Sequence, residues 1–223
     1  RPWRRTPGAA SGPGQPLARP DARVVGLYGS GHQAETQLRG VRAVRPLEEV
    51  RVYSPTPAHR EAFARRMAEG LGLSVRAVDR PEAAADGADI RLTITNAREP
   101  VLRGAWLRPG VHVNAAGSNA LIRRELDLEA VLRADLVVID GRDQGKIEAG
   151  DLLEPVERGL LQWSRVHELK DMVAGRVGRG SPDPITLLQS LGIALEDVAV
   201  AARVYEQALR QGAGERLRFL EGP

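Results

Sequence analysis

Apolar positions along this chain fall into short runs that alternate with longer amphipathic stretches. Val24–Tyr28 is the first run, five residues followed by Gly29, as expected of a parallel strand covered on both faces. A helix-like segment follows over His32–Val44, then a second strand over 50–53. Pro57–Leu71 reads as a helix, with proline in its first turn and Gly72 just past its end. A third strand over 74–78, a short helix over 81–86, and strands over 90–95, 111–115 and 136–139 continue the pattern. Strands and helices alternating at this spacing predict an α/β fold: a Rossmann-type doubly wound parallel sheet with C-terminal helices. Arg91 is out of place inside the fourth strand, so it reaches the sheet edge, pairs with an acid, or marks a drifted copy.

The two ends break the rhythm. Residues 1–20 hold five prolines and three glycines, too many for helix or strand interiors, and read as an irregular arm or the remnant of another domain. Residues 152–172 read as short helices and turns, and 175–184 as a Gly/Pro loop. Residues 185–211 read as one long helix with Leu187, Leu188, Leu191, Leu195, Val198 and Ala202 near one stripe. The domain reading is therefore an irregular arm or substrate-domain remnant to residue 21, a dinucleotide-binding domain over 22–150, and a helical segment over 151–223 packing on the sheet and on a missing substrate domain.

Composition narrows the chemistry. Cysteine is absent, which excludes disulfides, thiolate metal sites and a cysteine nucleophile. The net charge is +3, the arginines are interleaved with acids, and aromatics are only 4%, a pattern that disfavours a nucleic-acid binder. No apolar run approaches a membrane span and no apolar stretch follows the basic start, so the expected location is cytoplasmic. His32, His59, His112 and His167 never pair at ligand spacing, so no metal is expected.

One motif carries chemistry. Gly29-Ser30-Gly31-His32-Gln33-Ala34 matches G-x-G-x-x-G/A between a strand and a helix. Gly29 suits the tight turn, Gly31 lets a pyrophosphate approach the backbone, and Ala34 lets the helix pack closely. The helix N-terminus would hold the phosphates. No acid ends the second strand to bind a ribose 2′-hydroxyl; Ser54 and Thr56 could instead donate to a 2′-phosphate and Arg60 pair with it, or Arg60 is merely solvated. The cofactor reading is NAD or NADP, tilted toward NADP. Thr95 and Asn96 after strand four, and residues 114–119 after strand five, fall on the carboxyl edge where such a ligand lies.

Three stretches together resemble the ornithine cyclodeaminase/mu-crystallin family. They are residues 18–34; residues 98–102 with 109–115; and Ser181-Pro182-Asp183 through Ile185-Thr186-Leu187 to residues 190–197. The resemblance runs from about Arg19 to Gln211. It implies an NAD(P)-dependent enzyme acting by hydride transfer on an amino acid or cyclic imine: ornithine to proline plus ammonia, imine reduction, or amino acid dehydrogenation. It implies that His32 and Gln33 meet the pyrophosphate, Ser54 the adenosine ribose, and Thr95 the nicotinamide side. By the same resemblance Val113, Asn114, Ala115, Ala116 and Gly117 run along the cofactor, Arg123 stands where the family often has a cofactor-binding lysine, and Ser190 contacts the cofactor. Leu191 would lie beside the substrate, and Arg5, with Thr6, would clamp its carboxylate. A homodimer is implied. Two departures stand out: Asn119 occupies the position of the family's catalytic Asp, and most of the family's N-terminal substrate and dimerisation segment has no counterpart in this sequence. An amide cannot exchange a proton as a carboxylate does. The alternative is accordingly a non-catalytic dinucleotide-binding module or an inactive truncated fragment.

Overall fold

The computed structural model describes residues 17–215. They form two compact units, one ending at Gly192 and one beginning at Ile193. The first unit is built on a single sheet of eight parallel strands: β1 (Val24–Tyr28), β2 (Glu49–Tyr53), β3 (Ser74–Ala77), β4 (Ile90–Thr93), β5 (His112–Ala115), β6 (Leu136–Ile139), β7 (Val166–Glu168) and β8 (Thr186–Gln189). Their spatial order is β3-β2-β1-β4-β5-β8-β6-β7. The chain winds outward from β1 through β2 to β3, then returns past β1 to β4 and β5. That reversal opens a crevice at the carboxyl ends of β1 and β4, the place where open α/β sheets bind ligands.

Both faces of the sheet are covered, as the alternation implied. Helices α1 (His32–Val44) and α2 (Pro57–Leu71) bring Leu38, Val41, Phe63 and Met67 onto Val25, Leu27, Val50, Val52, Ile90 and Leu92. On the other face α3 (Pro81–Ala85), α4 (Leu128–Leu132) and, after α5 (Arg142–Glu148), α6 (Gly150–Glu157) pack Ala84, Ala130, Val131 and Leu152 onto Tyr28, Val113, Ala115, Ile139 and Leu187. Burying each of the larger aliphatic side chains contributes about 1.5–3 kcal/mol. A short helix α7 (Leu169–Val173) follows β7 and brings Met172 onto Val138 and Leu188.

The C-terminal stretch corrects the expectation of a purely helical segment after residue 150. Residues 166–168 form β7, and the expected helix over 185–211 is two elements, β8 and then α8 (Ala194–Gln211). A short buried apolar run has no periodicity that separates strand from helix. Here Leu187 and Leu188 are buried on opposite faces between β5 and β6, and Gly192, at φ +82°, turns the chain before α8 begins. The sheet therefore continues well past residue 150. Helix α8 carries Leu195, Val198, Ala202, Tyr205 and Leu209 at helical spacing and ends at Gly212 in the left-handed conformation.

Arg91 neither reaches an edge nor pairs with an acid. Its side chain is buried and its guanidinium donates to the carbonyls of Ala88, Ala85 (2.6 Å) and Trp106 (3.3 Å), joining the end of α3 to the turn over Gly104–Trp106. Burial holds its pKa down at about 10. Arg91→Met should destabilise the fold by about 2–4 kcal/mol, because carbonyls lose a charged donor in a dry site. Denaturant unfolding checks this; a loss below 1 kcal/mol would mean that water replaces the guanidinium.

Candidate dinucleotide site

The loop joining β1 to α1 is shaped by two glycines with different jobs. Gly29 sits at φ +112°, donates its N–H to the Tyr53 carbonyl (2.9 Å), and has no room for a side chain: a Cβ would lie 2.5 Å from the Ile94 carbonyl. Gly31 is at φ −84°, open to any residue, yet a Cβ there would meet nothing within 4 Å. Its missing side chain therefore leaves open space. No side chain caps the N-terminus of α1, so its first N–H groups stay available to an anion. Ala34 is fully buried under the helix, against the sheet.

Around that loop lies a cleft of about 610 Å³ at the carboxyl ends of β1, β2, β4 and β5. It brings together Gly29, Ser30, Gly31, His32, Gln33, Ser54, Thr56, Thr95, Asn96, Ala116, Gly117, Asn119 and Arg123 from the sequence reading, and adds Pro55, His59 and Ile94. Ser30 and Ser54 share a hydrogen bond of 2.9 Å that ties the first two strand-end loops together. None of the residues lining the cleft is a carboxylate, and Arg123, His32 and His59 stand on its wall. Such a lining suits an anionic ligand extended across the sheet's switch point.

The chain is similar to known proteins in sequence and in fold. Residues 4–212 match the family model described as the ornithine cyclodeaminase/mu-crystallin family. The chain belongs to the ornithine cyclodeaminase/mu-crystallin family. It is 37% identical over 205 residues to a Delta(1)-pyrroline-2-carboxylate reductase of Bacillus cereus, covering 91% of this chain and 63% of that protein. Among solved structures it is similar to the Thermococcus litoralis Delta(1)-pyrroline-2-carboxylate reductase in complex with NADH and L-proline, with a TM-score of 0.86, 38% identity, and coverage of 90% of this chain and 62% of that one. An archaeal alanine dehydrogenase dimer with bound NAD matches with a TM-score of 0.83 and 32% identity over 92% of this chain and 63% of that one. The chain thus spans less than two thirds of the length of these relatives.

Several residues read as cofactor or substrate contacts do not line the cleft. Val113, Asn114 and Ala115 are buried within β5 and do not line the cleft, because a strand covered on both faces turns its side chains into the two cores. Arg60 donates to the Ser54 carbonyl (2.9 Å) from outside the cleft lining, so it braces the loop and His59 takes the open position. Ser190 and Leu191 follow β8 and are held by Asp140, whose Oδ2 accepts from the N–H groups of Leu191 (2.6 Å) and Gly192 (2.7 Å) and from Ser190 Oγ (3.3 Å). Burial pushes the Asp140 carboxyl up. Arg5 lies outside the described residues. Asn119 lines the cleft and accepts from Arg123 Nη1 at 2.6 Å, so amide and guanidinium are paired on the cleft wall. Among the described residues no cluster of three or more His, Asp or Glu could hold a metal, and no helix is long and apolar enough to cross a membrane.

Sequence reasoning passed over two buried acids behind the cleft. Glu125 accepts hydrogen bonds from Thr95 N, Thr95 Oγ1, Gly117 N and Thr93 Oγ1. Asp151 Oδ1 accepts from the N–H groups of Glu125 (2.8 Å) and Leu126 (3.1 Å), while its Oδ2 is buried without a partner. Burial raises both pKa values; that of Asp151, with Glu125 beside it, is pushed up to about 7. Nothing local distinguishes these acids from the many solvated Asp and Glu residues. Only the fold brings their donors to them.

Proposed function

We propose that this chain is the cofactor-binding part of an NAD(P)-dependent reductase acting on a small imino acid, as a homodimer. The cleft carries the reading: an uncapped helix N-terminus, a glycine whose missing side chain leaves space, and a lining without carboxylates suit a dinucleotide pyrophosphate. Relatives solved with NADH or NAD, one of them a dimer, support it. The α1 N–H groups, with His32 and Gln33, would hold the pyrophosphate, and Ser54, Thr56 and His59 the adenosine ribose. Thr95, Asn96, Ala116 and Gly117 would orient the nicotinamide end, which supplies hydride in its reduced form.

Reduction of an imine is favoured over cyclodeamination because the latter needs several proton transfers in the site, and no carboxylate lines this cleft. The Asn119–Arg123 pair favours a second reading, binding without turnover. With no acid at the end of β2 and His59 facing the cleft, NADPH is expected to bind at least as tightly as NADH. Calorimetric titration of the chain with each nucleotide tests this. Absence of binding by both would refute the site, and a clear NADH preference would refute the 2′-phosphate reading. Reduction of a cyclic imino acid by a protein that also carries the relatives' remaining third would separate reductase from binding module.

A further inference from the structure

We infer that Glu125 is a positioning residue for the nicotinamide half of the cleft, an inference that rests on the dinucleotide reading. In a doubly wound sheet the half beginning at β1 takes the adenylate and the half beginning at β4 takes the nicotinamide nucleotide. The β4 and β5 loops enter the cleft as Ile94, Thr95 and Asn96, and as Ala116 and Gly117. Backbone pairing between these strands ends with Ala116 N donating to the Thr93 carbonyl at 2.9 Å. Beyond that point one carboxylate replaces the ladder. Glu125 Oε1 accepts from Thr95 N (2.6 Å) and Thr95 Oγ1 (2.8 Å); Oε2 accepts from Gly117 N (2.7 Å) and Thr93 Oγ1 (2.9 Å).

The clasp is tight and its base is fixed. A Cβ on Gly117 would lie 2.1 Å from the Thr95 carbonyl and 2.5 Å from Glu125 Oε1, so the two loops meet with no space between them. Four donors occupy the carboxylate, and a proton on either oxygen would displace one of them. The backbone of Glu125 is anchored in turn: its N–H is bound by Asp151, and its carbonyl accepts from Val101 N (2.9 Å) and Leu102 N (3.0 Å). Arg123 and Asn119, both on the cleft wall, belong to the same loop. The Gly29–Gln33 loop makes none of these bonds. Glu125 therefore sets where a nicotinamide is received without touching where the pyrophosphate is held. Hydride transfer tolerates small placement errors poorly, which gives such a clasp its value.

Calorimetry on the full chain with two probes, NADH and ADP, tests the assignment, since ADP ends at the pyrophosphate. Glu125→Gln puts an amide against backbone donors and should weaken NADH by about tenfold while leaving ADP within about twofold. Thr93→Val removes one donor of similar shape away from the cleft and should weaken NADH by about threefold with ADP unchanged. If Glu125→Gln does not fold, the Thr93→Val pair of titrations decides alone. Equal losses for both probes, or an unchanged NADH affinity, would overturn the positioning role. Failure of the unaltered chain to bind either probe would overturn the dinucleotide reading itself, and this inference with it.

Discussion

Gly31→Val is expected to weaken NADH binding at least about 100-fold while leaving the chain folded, a separation that follows from the two glycines of the β1–α1 loop. At φ −84° Gly31 already has a conformation that valine accepts, and its Cβ would meet no protein atom within 4 Å. Exchanging glycine for valine before α1 costs about 1 kcal/mol as a poorer helix cap, a shift of roughly 2–4 °C in Tm for a domain of this size. In the proposed dinucleotide site the added methyl groups project instead into the space where a pyrophosphate would approach the helix N-terminus. Gly29→Val is the contrasting control. At φ +112°, with the Ile94 carbonyl 2.5 Å from the new Cβ, it should lose stability and binding together. Titration and melting of both variants check this. Undiminished NADH binding by Gly31→Val would remove the loop from the site.

Asp151→Asn should stabilise the protein at alkaline pH and have little effect in mild acid. Burial, with Glu125 nearby, pushes the Asp151 carboxyl up to about 7 from 3.8. Between those values the folded chain keeps a proton that the unfolded chain has released, so stability falls as pH rises through this window. Above pH 7 the penalty is complete, on the order of a few kcal/mol. Asparagine is neutral throughout, and its Oδ1 can still accept from the N–H groups of Glu125 and Leu126. Denaturant unfolding at about pH 5 and pH 8.5 should therefore show the variant gaining on the parent by about 1–3 kcal/mol between the two conditions. An identical difference at both pH values would mean that Asp151 does not titrate in this range.

Most of the fold was legible because its signals are local. Six strands and the helices between them follow from short apolar runs and turn residues, and the glycine loop follows from its place between a strand and a helix. The absence of an acid after β2 was equally plain, and the cleft has none. The C-terminal part was misread for a definite reason. Leu187 and Leu188 suit a helix stripe as well as a doubly covered strand, and only a gap between β5 and β6 chooses the strand. Arg91 shows the same limit: its partners are carbonyls, which the sequence does not distinguish from one another.

Sequence alone determined the parallel sheet, the glycine loop between β1 and α1 and the residues at the strand ends, since backbone propensity and side-chain periodicity act over a few residues. Tertiary structure decided which of those residues face one cleft, and it brought His59 in while leaving Val113, Asn114, Ala115 and Arg60 out of the lining. It also decided that Glu125 would clasp the loops after β4 and β5. Strand pairing brings distant segments together, and the charge, burial and partners of a side chain are properties of that meeting rather than of its neighbours in the chain.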